Sequence, residues 1–127
     1  MNFDPVGIDS KGMYYVKFRI PLYTVERINL LERWILVQSF AYYELDENIA
    51  ADSVYDANSH QLAEMLEQYP EEAKRSRYYQ YFYDFTGDTG YHLIGRVQKG
   101  DPDMYRRIWR DACMALDLKK KYMSAEG

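Results

Sequence analysis

At 127 residues the chain has the length of one domain, and with 47% hydrophobic and 28% charged residues it can bury a core of its own, which excludes disorder over most of its length. A formal charge of −4 tells against direct nucleic-acid binding of the electrostatic kind, because neutralising phosphates takes a surplus of Lys and Arg. The 17% aromatic content includes fourteen tyrosines, and a planar ring with a polar tip suits interfaces and ligand pockets as well as the edge of a core.

Met13 to Ile20 alternates in part, with Tyr14, Val16, Phe18 and Ile20 on one side, which predicts a half-buried strand ended by Pro21. From Thr24, a fitting N-cap, Val25, Ile28, Leu31, Ile35 and Leu36 recur at helical spacing and predict a helix to about Tyr43. The apolar run over 30–37 is broken by Glu32 and Arg33 and falls short of the roughly 20 residues that cross a bilayer, so no membrane association is expected. Asp46-Glu47-Asn48 is turn-prone, and Asp52 then stands as N-cap of a second helix whose apolar face is Val54, Tyr55, Leu62, Met65, Leu66 and Tyr69.

Pro70 interrupts, and Glu71-Glu72-Ala73 predicts another helical turn with the proline in first position. In the block Arg77 to Phe85, Tyr78, Tyr81, Phe82 and Phe85 fit a helix face. The aromatic enrichment and the turn Gly87-Asp88-Thr89-Gly90 instead favour an extended segment paired with Tyr91 to Val97 as a hairpin. Asp101-Pro102 signals a helix start, and Met104, Tyr105, Ile108, Trp109, Ala112, Cys113 and Leu116 give an amphipathic helix to about Tyr122, with Lys119-Lys120-Lys121 placed to offset its C-terminal dipole. The expected fold is mainly α with a small β element: a single compact domain over 1–127, with a helical hairpin at 24–70, an aromatic-rich segment and a C-terminal helix.

Cys113 is the sole cysteine, so an intramolecular disulfide is excluded, and its place on an apolar helix face marks it as a small core residue. The N-terminus lacks a basic-then-apolar secretion pattern, and a cytoplasmic location is the expectation. His60 and His92 have no partner at metal-ligand spacing, and no metal site is expected. Gly87, Gly90 and Gly95 lack the Gly-Lys-Ser/Thr of a phosphate loop.

The most chemical stretch is Tyr42-Tyr43, Asp46, Asp52 and Tyr55-Asp56, spread across a helix–loop–helix junction. Two antiparallel helices joined by a short loop bring the end of the first beside the start of the second, so Tyr42 and Tyr43 would face Tyr55 and Asp56 with Asp52 at the mouth. Tyrosine faces attract a cationic heterocycle and carboxylates accept hydrogen bonds from sugar hydroxyls. Taken alone, Asp52 reads as a helix cap, Asp56 as a first-turn dipole partner and the tyrosines as core edge.

Over about Trp34 to Pro70, the order Tyr-Tyr-x-x-Asp, Asp-x-x-Tyr-Asp and an apolar-periodic helix ending at Tyr-Pro resembles the N-terminal Ia domain of NAD-dependent bacterial DNA ligases. That domain holds the nicotinamide mononucleotide half of NAD. The resemblance implies that Tyr42 and Tyr55 contact the ring, while Tyr43, Asp52 and Asp56 meet the ribose, carboxamide and phosphate. Where the family shows Pro-Glu-Ile between the two aspartates, this chain has Glu47-Asn48-Ile49-Ala50-Ala51. The adenylation motif Lys-x-Asp-Gly does not occur, Lys99-Gly100-Asp101 not matching it, so the chain cannot seal a nick by itself.

The resulting expectation is a non-catalytic binder of NAD, nicotinamide mononucleotide or an ADP-ribose derivative, requiring no cofactor. Such a chain would suit sequestration of an NAD-derived signal, as proteins of bacterial viruses do against NAD-based immunity. Two alternatives from other classes stand beside it. One is an accessory subunit or modulator of an NAD-dependent DNA ligase. The other is a protein-interaction module that inhibits a host enzyme or defence complex, anchored by exposed aromatics in the tyrosine block or near Trp109. An NAD glycohydrolase using Asp52 or Asp56 is a more distant fourth.

Overall fold

The computed structural model describes residues 6–8, 14–16, 20–88 and 90–126. Two three-residue strands, β1 (Val6–Ile8) and β2 (Tyr14–Val16), pair antiparallel with Gly7 opposite Tyr15. Of the strand expected over Met13 to Ile20, residues 14–16 are β2, Ile20 already belongs to a helix, and 13 and 17–19 lie outside the described residues.

The rest is helical. Helix α1 (Ile20–Glu44) is followed by α2 (Asp52–Gln68), α3 (Pro70–Lys74), α4 (Tyr79–Phe82), α5 (Tyr91–Gly100) and α6 (Pro102–Glu126). Pro21, expected to end a strand, stands in the first turn of α1, where its missing N–H costs nothing and its fixed φ suits the helix. Thr24 is therefore no N-cap; it lies inside α1 and is buried.

Helix α1 is the hub, with α2, α3, α5 and α6 all packed on it. Every residue from Ile35 to Ala41 is buried, including Gln38 and Ser39. Neighbours cover this stretch on all sides, so it shows no single apolar stripe. The core gathers Ile28, Ile35, Leu36 and Phe40 of α1 with Leu62 of α2, Phe82 of α4, Leu93, Ile94 and Val97 of α5 and Ile108 of α6.

The hairpin expected from Arg77 to Val97 is not formed: the first half is the helical turn Tyr79–Phe82 flanked by turns, and the second lies in α5. Tyr78, Tyr81, Phe82 and Phe85 fall at the i, i+3, i+4, i+7 positions of a helical face, and all four are buried. Leu93, Ile94 and Val97 repeat the pattern on α5. Arg96 ties the two pieces together. Its guanidinium donates to both carboxylate oxygens of Asp84 at 2.7 and 2.9 Å and to the Tyr81 carbonyl, and lies 4.7 Å from the centre of the Tyr83 ring. The arginine holds the Asp84 carboxyl below the usual carboxylate range. Since the tyrosine block turns most of its rings inward, only Tyr83 of the anchors expected there is an exposed large aromatic, alongside Trp109 of α6.

The start of α6 follows its sequence signal: Asp101 Oδ1 accepts the backbone N–H of Met104 at 3.0 Å, and Pro102 takes the first helical position. Ile108, Ala112 and Leu116 form the buried stripe of α6. Cys113, expected in the core, is exposed, because a stripe of one residue every four places the next position off the buried face.

Candidate functional site

The carboxyl end of α1, the loop over 45–51 and the first turns of α2 enclose a cavity of about 250 Å³. All five residues singled out from the sequence, Tyr42, Tyr43, Asp52, Tyr55 and Asp56, line it. The loop forms because α1 ends abruptly. Ala41 carbonyl accepts the N–H groups of both Leu45 and Glu47, and Asp46 takes a left-handed φ of 53°, a conformation that Asp and Asn tolerate better than other side chains. Asp46 itself does not line the cavity; its part is to turn the chain. Lys119 of α6 donates to the Asn48 carbonyl, and Lys120 lies 3.5 Å from Glu47, so the far helix braces the loop from outside.

Ala51, not Asp52, is the N-cap of α2, and no side chain caps that helix end. Asp52 falls in the first turn, where a carboxylate complements the positive end of the helix dipole while its oxygens stay available to the cavity. Tyr55 is half-buried, and its hydroxyl lies 2.8 Å from Ser39 Oγ in the middle of α1. Burial raises the Tyr55 phenol above its ordinary value, with the Ser39 hydrogen bond pulling the other way. Tyr55 is thus tied to α1, which fixes its ring at the cavity edge.

Tyr42 and Tyr43 meet edge to face at 4.8 Å, and Tyr43 meets Tyr91 of α5 in the same way at 5.4 Å. Tyr42 and Tyr43 make one wall, and Tyr91 touches that wall without lining the cavity. Tyr42 is about half exposed, so its surface is open to a ligand.

Several lining residues escaped the sequence reading: Gln38, Asn48, Ile49, Ala50 and Asp88. Gln38 precedes Tyr42 by one helical turn, which places both on the same face of α1, and that spacing was the available signal. Asp88 comes from the loop between α4 and α5, and nothing local in the sequence relates it to α2. Gly87 makes the approach of that loop feasible. Its φ of +89° suits glycine, and its Cα sits against Ser59 and His60 of α2, where a Cβ would meet three α2 atoms at 3.1 to 3.3 Å.

Gly90 has a different constraint. A Cβ there would run into the oxygens of both Tyr55 and Ser39. Gly90→Ala should therefore break the Tyr55–Ser39 hydrogen bond and cost about 1–3 kcal/mol, as overpacking of a filled site does. Urea denaturation checks the loss. A variant as stable as the parent would show that the junction of α1, α2 and α5 yields easily.

Chemically, the cavity offers aromatic faces, an amide at the wall and carboxylates. No group of His, Cys, Asp and Glu among the described residues has the arrangement of a metal site. None of the described helices is long and apolar enough to cross a membrane. No protein-family model, no curated protein and no solved structure matches the chain.

Proposed function

We propose that the chain is a non-catalytic binder of a nicotinamide or ADP-ribose type nucleotide, similar in its site to the Ia domain of NAD-dependent DNA ligases and suited to sequestering an NAD-derived signal. The observation that carries this reading is that Tyr42, Tyr43, Asp52, Tyr55 and Asp56, separated in sequence by a loop, line one open cavity. At about 250 Å³ it is smaller than the roughly 300–1,000 Å³ of pockets that engulf drug-sized ligands, so it suits one half of a dinucleotide. Tyr42 presents an exposed ring for stacking on a charged heterocycle, and the carboxylates of Asp52 and Asp56 accept sugar hydroxyls.

Titration calorimetry against NAD, nicotinamide mononucleotide and cyclic ADP-ribose isomers tests the reading. Binding should weaken roughly 2- to 30-fold in Tyr42→Ala, the equivalent of losing one cation–π contact of about 0.5–2 kcal/mol. No heat with any of these ligands, from protein shown to be folded, would remove the proposal.

A protein partner is the second reading, favoured by a separate surface. Met114, Leu118 and Tyr122 are all more than half exposed and recur every four residues along α6. None of the three lines the cavity, so partner capture that survives Tyr42→Ala and Asp56→Ala but not Leu118→Asp would favour an interaction module, a ligase accessory role included.

A further inference from the structure

The charge and hydrogen-bonding of the cavity lining narrow the ligand beyond a nucleotide in general. Asp52, Asp56 and Asp88 contribute three carboxylates, and among the described residues no Lys, Arg or His lines the cavity. The lysine that comes near, Lys119, is engaged with the Asn48 carbonyl and does not line the cavity. A phosphate seated here would meet carboxylates with no cation to offset them, and like charges a few ångströms apart in a half-enclosed site repel strongly. A cation would be held by the same three groups and by the tyrosine wall.

Gln38 adds an independent demand. It is 4% exposed, it lines the cavity, and its amide nitrogen Nε2 is buried without a hydrogen-bond partner. A buried amide donor left unpaired is costly, and a turn of the side chain that brings Nε2 to the cavity would let an acceptor oxygen of a ligand relieve the cost. The complementary molecule is therefore positively charged, flat and equipped with a carbonyl.

We infer that the cavity selects a permanently cationic, carbonyl-bearing heteroaromatic nucleoside and discriminates against its phosphorylated form. Nicotinamide riboside has this chemistry: a pyridinium ring, a carboxamide oxygen for Gln38 and ribose hydroxyls for the aspartates. The inference rests on the nicotinamide part of the reading above and departs from it in disfavouring the phosphate. Asp88 becomes a specificity residue, since it closes the carboxylate ring from a loop that the helical hairpin does not contain.

Calorimetry with three probes tests it: nicotinamide riboside, nicotinamide mononucleotide and the dihydro form of the riboside, whose ring is neutral. The riboside should bind at least tenfold tighter than either of the others. Its advantage should shrink as salt rises from 50 to 500 mM, because screening weakens partly exposed charges. Asp88→Asn, at an exposed position, should narrow the riboside-to-mononucleotide ratio severalfold with an unchanged denaturation midpoint. A mononucleotide that binds as tightly as the riboside would mean that Lys119 or another cation reaches the phosphate, and it would overturn the selectivity while leaving the nucleotide reading intact. Equal binding of the dihydro form would overturn the role of charge. No binding of any of the three would overturn the inference, and the titrations with NAD and cyclic ADP-ribose isomers then decide the nucleotide reading separately.

Discussion

Replacing Glu32 by Gln should make the protein more stable at neutral pH, by about 3 kcal/mol, and should abolish most of its pH dependence between about 4.5 and 8. Glu32 is on the hub helix with no exposed surface, and burial pushes its carboxyl up to about 8, against the hydrogen bonds of Ser76 and the Tyr78 backbone. Geometry supports a protonated acid independently. Ser76 Oγ lies 2.6 Å from the Ala73 carbonyl and 3.0 Å from Glu32 Oε2, yet a hydroxyl has one proton to give. If Ser76 donates to Ala73, a protonated Glu32 can donate to Ser76, and the chain of hydrogen bonds closes from α1 to the end of α3. Oε1 is buried and unpaired in either state, which costs an ionised carboxylate more than a neutral acid.

The sign of the pH effect follows from the direction of the shift. Below about 4.5 the carboxyl is protonated in both folded and unfolded chains, and it contributes no pH dependence. Between about 4.5 and 8 the unfolded chain ionises while the folded one keeps its proton, so stability falls by about 1.4 kcal/mol per pH unit; above 8 the loss levels off. The amide of Glu32→Gln donates to Ser76 as the protonated acid does and does not titrate. Urea midpoints measured from pH 5 to 8.5 should slope downward in the parent and run flat in the variant. Parallel curves would mean that Glu32 ionises freely in the folded state.

Much of the hairpin around the cavity was legible because its signals are local. The polar turn after Tyr43, the acidic start of α2 and the apolar spacing of Leu62, Met65 and Leu66 each depend on neighbours within a few residues. The Asp101-Pro102 start is of the same kind, one side-chain oxygen capping one nearby N–H. The errors fall where tertiary packing decides. Seven consecutive buried residues in α1 reflect four helices around it and not a period in the sequence. The tyrosine block carries helical spacing and strand-like composition at once, and its inward rings together with the Arg96 clamp settle it as helix. Asp88 belongs to the site through the docking of a distant loop and leaves no mark on residues nearby in the chain, whereas Gln38 shows only in its spacing one helical turn before Tyr42.

Phe40→Ala should cost about 3–5 kcal/mol, the range for removing a buried aromatic and leaving a cavity behind. Phe40 is 1% exposed on the α6 side of the hub helix, with its ring 5.3 Å from Tyr105 at a steep angle and 5.9 Å from Trp109 in a stacked arrangement. These two contacts join α1 to α6 just before α1 delivers Tyr42 and Tyr43 to the cavity, so the loss of packing should also loosen the site. Tyr42 offers the contrast that separates scaffold from site. It is half exposed, and Tyr42→Ala should cost no more than about 1.5 kcal/mol, the worth of its edge-to-face contact with Tyr43, while weakening ligand binding. Phe40→Leu, which keeps most of the apolar volume, should fold with a smaller loss and retain binding. If Tyr42→Ala instead proves as destabilising as Phe40→Ala, then the rings at the end of α1 hold the fold together, and the open cavity beside them is a by-product of packing and not a place for a ligand.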